Sequence, residues 1–248
     1  MKLKDKVAVI TGAASGIGAT TAGVFAQEGA ALSLWDVNLA GLEQMAQEIE
    51  RSGGKVLTAK VDVADSQAIQ AAVDATMERF GKIDILINNA GLVRDTISWK
   101  MTDDQWNLVI DVNLKSAFNC CRAIVPIMRK QRYGKIVNTA SVALLGNPGQ
   151  INYSAAKAGI SALTRTLALE VGSHGINVNC VVPGTIATAG LAALPSEALK
   201  KLLEEKIALR RPGQPEEVAK LHVFLTSDDS SYITGQSIFI DGGLSVGV

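Results

Sequence analysis

Cysteine, proline, histidine and aromatic residues are all scarce in this chain: it has three Cys, six Pro and two His, with 4% aromatics. Cys120, Cys121 and Cys180 are odd in number and have no metal-ligand spacing. That argues against a disulfide framework or a zinc site and fits reduced, buried thiols. His174 and His222 lie far apart in sequence and form no motif. Lys and Arg together number 24, as do Asp and Glu. With no net charge and no basic stripe, the chain offers nucleic acid no electrostatic footprint. No apolar run approaches membrane-spanning length. The basic start, Met1 to Lys6, is followed by only Val7 to Ile10 before Thr11-Gly12, too short for a signal-peptide core. These absences point to a soluble cytoplasmic protein that binds neither nucleic acid nor membrane. Two things are plentiful: hydrophobic residues at 48%, enough for a large core, and 23 glycines, as many strand–helix turns require.

Short β-branched runs alternate with helical periodicity along the whole chain. Strands are expected at Val7–Thr11, Ala30–Asp36, Lys55–Val63, Ile83–Ile87, Lys135–Ser141, Ile176–Val182 and Ser237–Ile240. Between them fall helices from the Gly-rich turn through Glu28, then Leu39–Ser52, Ser66–Phe80, a long helix Thr102–Lys130 with a bend near Pro126, and one carrying Tyr153 to Val171. This alternation implies βαβ units and a parallel sheet with helices on both faces. The rhythm breaks at 185–211, where turn signals flank a mildly amphipathic helix, Ser196–Ala208. An insertion after a strand suits a substrate lid. A further helix, Pro215–Leu225, leads to the last strand. No linker, repeat or low-complexity segment interrupts residues 1–248, so one domain is expected: a Rossmann-type, doubly wound sheet of about seven strands.

Two stretches carry chemistry. Thr11-Gly-Ala-Ala-Ser-Gly-Ile-Gly18 follows a strand and opens a helix, as in a dinucleotide-binding unit. Gly12, Ser15, Gly16, Ile17 and Gly18 let backbone approach a pyrophosphate at a helix N-terminus. Asp36 ends the second strand, where an acid accepts hydrogen bonds from the adenosine ribose hydroxyls; its alternative is a cap for the Leu39–Ser52 helix. The second stretch joins a strand to an Ala-rich helix. Tyr153 and Lys157, spaced i, i+4, share one helix face, and Ser141 lies at the preceding strand's end. A phenol ordinarily titrates at roughly 10, and a neighbouring ammonium favours its phenolate. Hydroxyl, phenol and ammonium together suit proton exchange with an alcohol or ketone.

Taken in order over about Lys4 to Gly243, these motifs resemble the compact branch of the short-chain dehydrogenase/reductase family. The carriers are Thr11-Gly-x-x-x-Gly-x-Gly18, Asn88-Asn-Ala-Gly91, Asn113, Ser141, Tyr153-x-x-x-Lys157 and Pro183-Gly184. The resemblance implies that Ser141 holds the substrate oxygen and Tyr153 gives or takes the proton. It implies that Lys157 binds the nicotinamide ribose and depresses the Tyr153 pKa, while Asn113 positions a water. Cofactor contacts are implied for Asn89, Ala90 and Gly91, for Asp62 and Val63 at the adenine, and for Pro183, Gly184, Ile186 and Thr188 over the nicotinamide. A homotetramer is implied as well.

Asn88-Asn-Ala-Gly-Leu-Val-Arg-Asp95 and Ser231-Tyr-Ile-Thr-Gly-Gln236 look like β-ketoacyl-acyl-carrier-protein reductases. Four departures bear on substrate and cofactor. Ser15 stands where many NADPH-using members have Arg or Lys, and Asp36 is an acid they lack; both imply NAD(H). His174 stands at an often-Arg carrier-docking position, although Arg132 fits a second. Thr188-Ala-Gly190 differs from the usual Thr-Asp-Met. The expected activity is an NAD(H)-dependent alcohol dehydrogenase or ketoreductase, with a 3-oxoacyl thioester or a non-acyl alcohol, polyol or steroid-like substrate. A nucleotide-binding scaffold without catalysis is the reading from a different class. It predicts loss of Ser141, Tyr153, Lys157 or Asn113, and all four are present.

Overall fold

The computed structural model describes residues 1–188, 191 and 196–246. Seven strands form one sheet in the order β3-β2-β1-β4-β5-β6-β7. They are β1 (Val7–Thr11), β2 (Ala31–Asp36), β3 (Val56–Lys60), β4 (Ile85–Asn88), β5 (Gly134–Thr139), β6 (Ile176–Pro183) and β7 (Ser237–Ile240), and every pairing is parallel. The helices are α1 (Gly16–Gln27), α2 (Leu39–Arg51), α3 (Ser66–Phe80), α4 (Asp103–Ile110), α5 (Ser116–Gln131), α6 (Ile151–Val171), α7 (Ser196–Glu205) and α8 (Pro215–Thr226).

Strand alternation sorts the core into two layers. Ala8, Ile10, Leu32, Leu34, Ile85 and Ile87 point to one face, where they meet Ala22 and Phe25 of α1, Leu42 of α2 and Val218 of α8. Val9, Trp35, Leu86 and Ile136 point to the other, against Ile69 and Val73 of α3, Ile124 and Met128 of α5 and Val171 of α6. Because both faces are covered, the strands read as near-continuous apolar runs. Strand order reverses between β1 and β4, and a crevice opens at the carboxyl ends of strands flanking such a switch point.

Two boundaries move for physical reasons. The third strand stops at Lys60 rather than Val63, because Asp62 Oδ1 accepts from the Ala64 N–H at 2.9 Å and turns the chain. The long Thr102–Lys130 helix starts one residue later, at Asp103, with Thr102 and Gln105 forming a capping box. Its departure from α geometry is not at Pro126, which α5 accommodates, but at a π turn over Asp111–Lys115. Within the expected lid, α7 ends at Glu205 rather than Ala208. Ala189 and Gly190, part of the departure noted at Thr188, lie outside the described residues.

Candidate active site

The crevice is a cleft of about 590 Å3 at the carboxyl edge of the sheet. Its chemical end is walled by Ser141, Tyr153 and Lys157, with Thr139 and Ala140 from the end of β5. Ser141 lies two residues past β5, and its Oγ accepts from the Ala143 N–H at 3.2 Å. That contact occupies an oxygen lone pair and leaves the hydroxyl proton free to donate.

Lys157 is 3% exposed and donates from Nζ to the Thr139 carbonyl at 2.8 Å. Its ammonium lies 5.4 Å from the Tyr153 ring centroid. Burial pushes the Lys157 pKa down to about 8. Burial also raises the Tyr153 phenol above its ordinary value; Ser141 works against that rise and the Asp95 charge adds to it. Lys157 is not among the groups that move Tyr153 here; desolvation acts on both and disfavours the charged form of each. The Tyr153 phenol therefore keeps its proton at neutral pH.

Asn113 sits in the π turn, which brings its side chain up to the loop after β4. Its Nδ2 donates to the Leu92 carbonyl at 2.8 Å and the Val109 carbonyl at 3.0 Å. Its buried Oδ1 has no partner within the protein. A methyl group on Gly91 would lie 2.6 Å from that oxygen and 3.5 Å from Lys157 Nζ. Gly91 thus lets Asn113 and Lys157 approach the same small space.

The remainder of the cleft tests whether a dinucleotide fits. Gly12, Ser15, Gly16 and Ile17 line it between β1 and α1, and the Ser15 side chain makes no capping bond to the α1 N-terminus. The first N–H groups of α1 therefore have no side-chain cap, as a pyrophosphate site needs. Asp36 also lines the cleft. Its Oδ2 accepts from the Ala14 N–H at 3.0 Å and its Oδ1 from the Asn38 N–H at 2.9 Å. Asn38, not Asp36, caps α2 through Gly41, so the capping alternative for Asp36 is set aside. Asn89 fastens the turn to β4, donating from Nδ2 to the Thr11 and Gly12 carbonyls at 3.2 Å each. Ala90, Gly91, Pro183, Gly184, Ile186 and Thr188 complete the wall. These features fit a nicotinamide dinucleotide.

Four expected site residues do not reach the cleft wall. Gly18 lies beneath it, where any Cβ would come within 2.0 Å of the Gly12 carbonyl oxygen. Asn113 acts from behind Gly91. Asp62 is exposed with its carboxylate spent on its own turn, and Val63 is buried in the second core layer. Sequence reasoning missed Thr139, whose carbonyl receives Lys157, because a backbone acceptor leaves no side-chain signal. It also missed Asp95, taken up below.

A phenol, a buried ammonium and a glycine-lined cleft that fits a dinucleotide are the groups an oxidoreductase working with a nicotinamide cofactor needs. The family model described as enoyl-(acyl carrier protein) reductase matches residues 12–245. A 3-oxoacyl-acyl-carrier-protein reductase of Thermotoga maritima is 47% identical over 99% of this chain and 100% of its own. A short-chain reductase of Streptomyces niveus is 40% identical over 97% and 94% respectively. Among solved structures, levodione reductase superposes with a TM-score of 0.95 at 37% identity, covering 99% of this chain and 100% of that one. The chain belongs to the short-chain dehydrogenase/reductase family and is an oxidoreductase of that family.

Proposed function

We propose that this oxidoreductase uses NAD(H) to interconvert a ketone and a secondary alcohol, with a 3-oxoacyl thioester as the leading substrate class. The observation that carries the reading is the convergence of Ser141, Tyr153 and Lys157 on the cleft that also holds the Gly-rich turn. Bound in that cleft, the nicotinamide supplies or accepts the hydride. Ser141 donates its free proton to the substrate oxygen and orients it. Tyr153 gives its proton to the developing alkoxide, and Lys157 stabilises the phenolate left behind. Asn113 Oδ1 offers an acceptor to a water through which, by way of Lys157, a proton returns from solvent to the Tyr153 phenolate in reduction and leaves in oxidation. Asp36 on the cleft wall favours NAD(H), because it accepts hydrogen bonds from ribose hydroxyls and repels a 2′-phosphate.

The thioester reading draws on the reductase of Thermotoga maritima. Likeness to levodione reductase keeps a non-acyl ketone as the second reading. We further propose one domain over residues 1–248 with a substrate lid at about 185–211, Asp62 and Val63 near the adenine, and a homotetramer. A cytoplasmic setting suits the three free, buried cysteines. Among the described residues, no helix is long and apolar enough to cross a membrane.

The test follows absorbance at 340 nm with NADH against 3-oxoacyl thioesters of the carrier and CoA types and a panel of simple ketones. NADH consumption that falls about 10²–10⁴-fold in Tyr153→Phe, with NADH binding retained, is expected. Nucleotide binding with no turnover of any substrate would identify a scaffold instead.

A further inference from the structure

Two loops next to the cleft are tied together. One follows β4 and carries Val93, Arg94 and Asp95; the other, 146–150, leads into α6. The Thr96 N–H donates to the Gly149 carbonyl at 2.8 Å. Gln150, three residues before Tyr153, donates from Nε2 to Asp95 Oδ2 at 2.8 Å and accepts from Asn147 Nδ2 at 2.9 Å. A carboxylate is thereby fixed to the residue that leads into α6, one turn before Tyr153, and two residues from Val93 on the cleft wall. Its charge disfavours the Tyr153 phenolate.

Exposed apolar side chains stand on these loops and their flanks: Val93, Ile97, Leu145 and Ile151. Arg94 is the cation on the first loop. Its guanidinium is exposed and bonds the Val93 carbonyl at 2.8 Å. A substrate carboxylate entering here would meet the Asp95 charge. It would also find the Gln150 amide already donating to an acid. An ester, thioester or plain ketone meets no such repulsion and can lie on the apolar rim.

We propose that Asp95, held by Gln150, is a specificity-determining residue that selects substrates uncharged next to the reacting carbonyl and turns away 3-oxo acids. The proposal rests on the oxidoreductase reading of the cleft. Asp95 is solvent-exposed, so screening limits the effect to about three- to tenfold in relative kcat/KM.

The experiment compares a 3-oxo acid with its methyl ester, both reduced with NADH, in wild type, Asp95→Asn and Arg94→Gln. Asp95→Asn is expected to narrow the ester-over-acid ratio about three- to tenfold. The wild-type ratio should also shrink as salt rises from about 20 mM to about 500 mM, as screening demands; that series needs no variant. NADH titration and thermal melting of Asp95→Asn establish that the variant is folded. A ratio that stays within about twofold in Asp95→Asn and across the salt series overturns the proposal. So does a wild-type preference for the acid, or a selective loss of acid reduction in Arg94→Gln, which would make Arg94 a carboxylate anchor. Failure to reduce any ketone brings down the oxidoreductase reading itself, an outcome distinct from an unchanged ratio.

Discussion

Lys157 is the residue whose chemistry the fold changes most. In sequence it is one ammonium beside a tyrosine; in the structure it is a buried cation with a single backbone acceptor and a pKa near 8. Its folded pKa is lower than its unfolded value of about 10.4. The unfolded chain therefore binds the extra proton between about pH 8 and 10.4, and stability rises with pH through that window. Lys157→Met is expected to lose activity yet to stabilise the ligand-free protein at pH 7 by about 1–3 kcal/mol, because an unpaired buried charge is costly. It should also flatten the rise above pH 8. Urea unfolding at pH 7 and 10 with parallel rate measurements checks both; a variant that is less stable at pH 7 would contradict this account.

On the proposed reading, Asp36 sets the cofactor preference at the same scale. Two unit charges about 4 Å apart repel by about 4 kcal/mol at an effective dielectric near 20. A third of that, after solvent screening, is still about tenfold in preference. Because Asp36 also holds the Ala14 N–H, Asp36→Asn is a gentler probe than Asp36→Ala, since it keeps an oxygen acceptor. Wild type should favour NADH over NADPH about tenfold in kcat/KM. Asp36→Asn should narrow that ratio, and adding Ser15→Arg should narrow it further or invert it. A wild-type preference for NADPH would refute the role given to Asp36.

At the scale of elements, the departure from regular helix is where the site is made. The π turn after α4 carries Asn113 to Leu92 and Gly91, as such bulges often do at functional sites. Sequence periodicity does not single it out, because the five residues Asp111–Lys115 are too few to define a period of their own.

α1 and α8 show the opposite case, a buried polar contact remote from the chemistry. His222 on α8 is fully buried, meets Thr21 Oγ1 of α1 at 3.0 Å through Nδ1, and has its pKa pushed down to about 4 by burial. The unfolded chain takes up a proton between about pH 6.5 and 4 that the folded chain refuses, so stability falls on acidification through that range. His222→Gln keeps a polar partner for Thr21 and removes the titration. It should recover about 2–3 kcal/mol of the stability that wild type loses between pH 7 and 4.5. Parallel acid limbs in the two proteins would show that His222 does not control the loss.

The whole molecule leaves an apolar groove along α5 and α6. Phe118, Val125, Pro126, Leu163 and Leu167 line it, Phe118 is 50% exposed and the nearby Leu169 87%. Exposed apolar surface of this kind marks an interaction face, and closed symmetry is the usual arrangement for a soluble homo-oligomer. A tetrameric mass by light scattering at micromolar concentration is expected. Phe118→Glu with Leu169→Glu should shift it toward smaller species, and a monomeric wild type would exclude the assembly.

The sequence by itself determined the order of strands and helices, the parallel doubly wound sheet, the Gly-rich turn and the Ser141, Tyr153 and Lys157 group. Each is written locally: short β-branched apolar runs define a strand, glycines open a turn, and i, i+4 spacing aligns two side chains on one helix face. What only the tertiary structure decided depends on distance through space and on burial. The Thr139 carbonyl under Lys157, Asp95 bound to Gln150 and Asp36 bound to Ala14 all join residues distant in the chain. Burial reversed the expected titration of Tyr153, because desolvation is set by everything packed around a group and not by its neighbours in sequence.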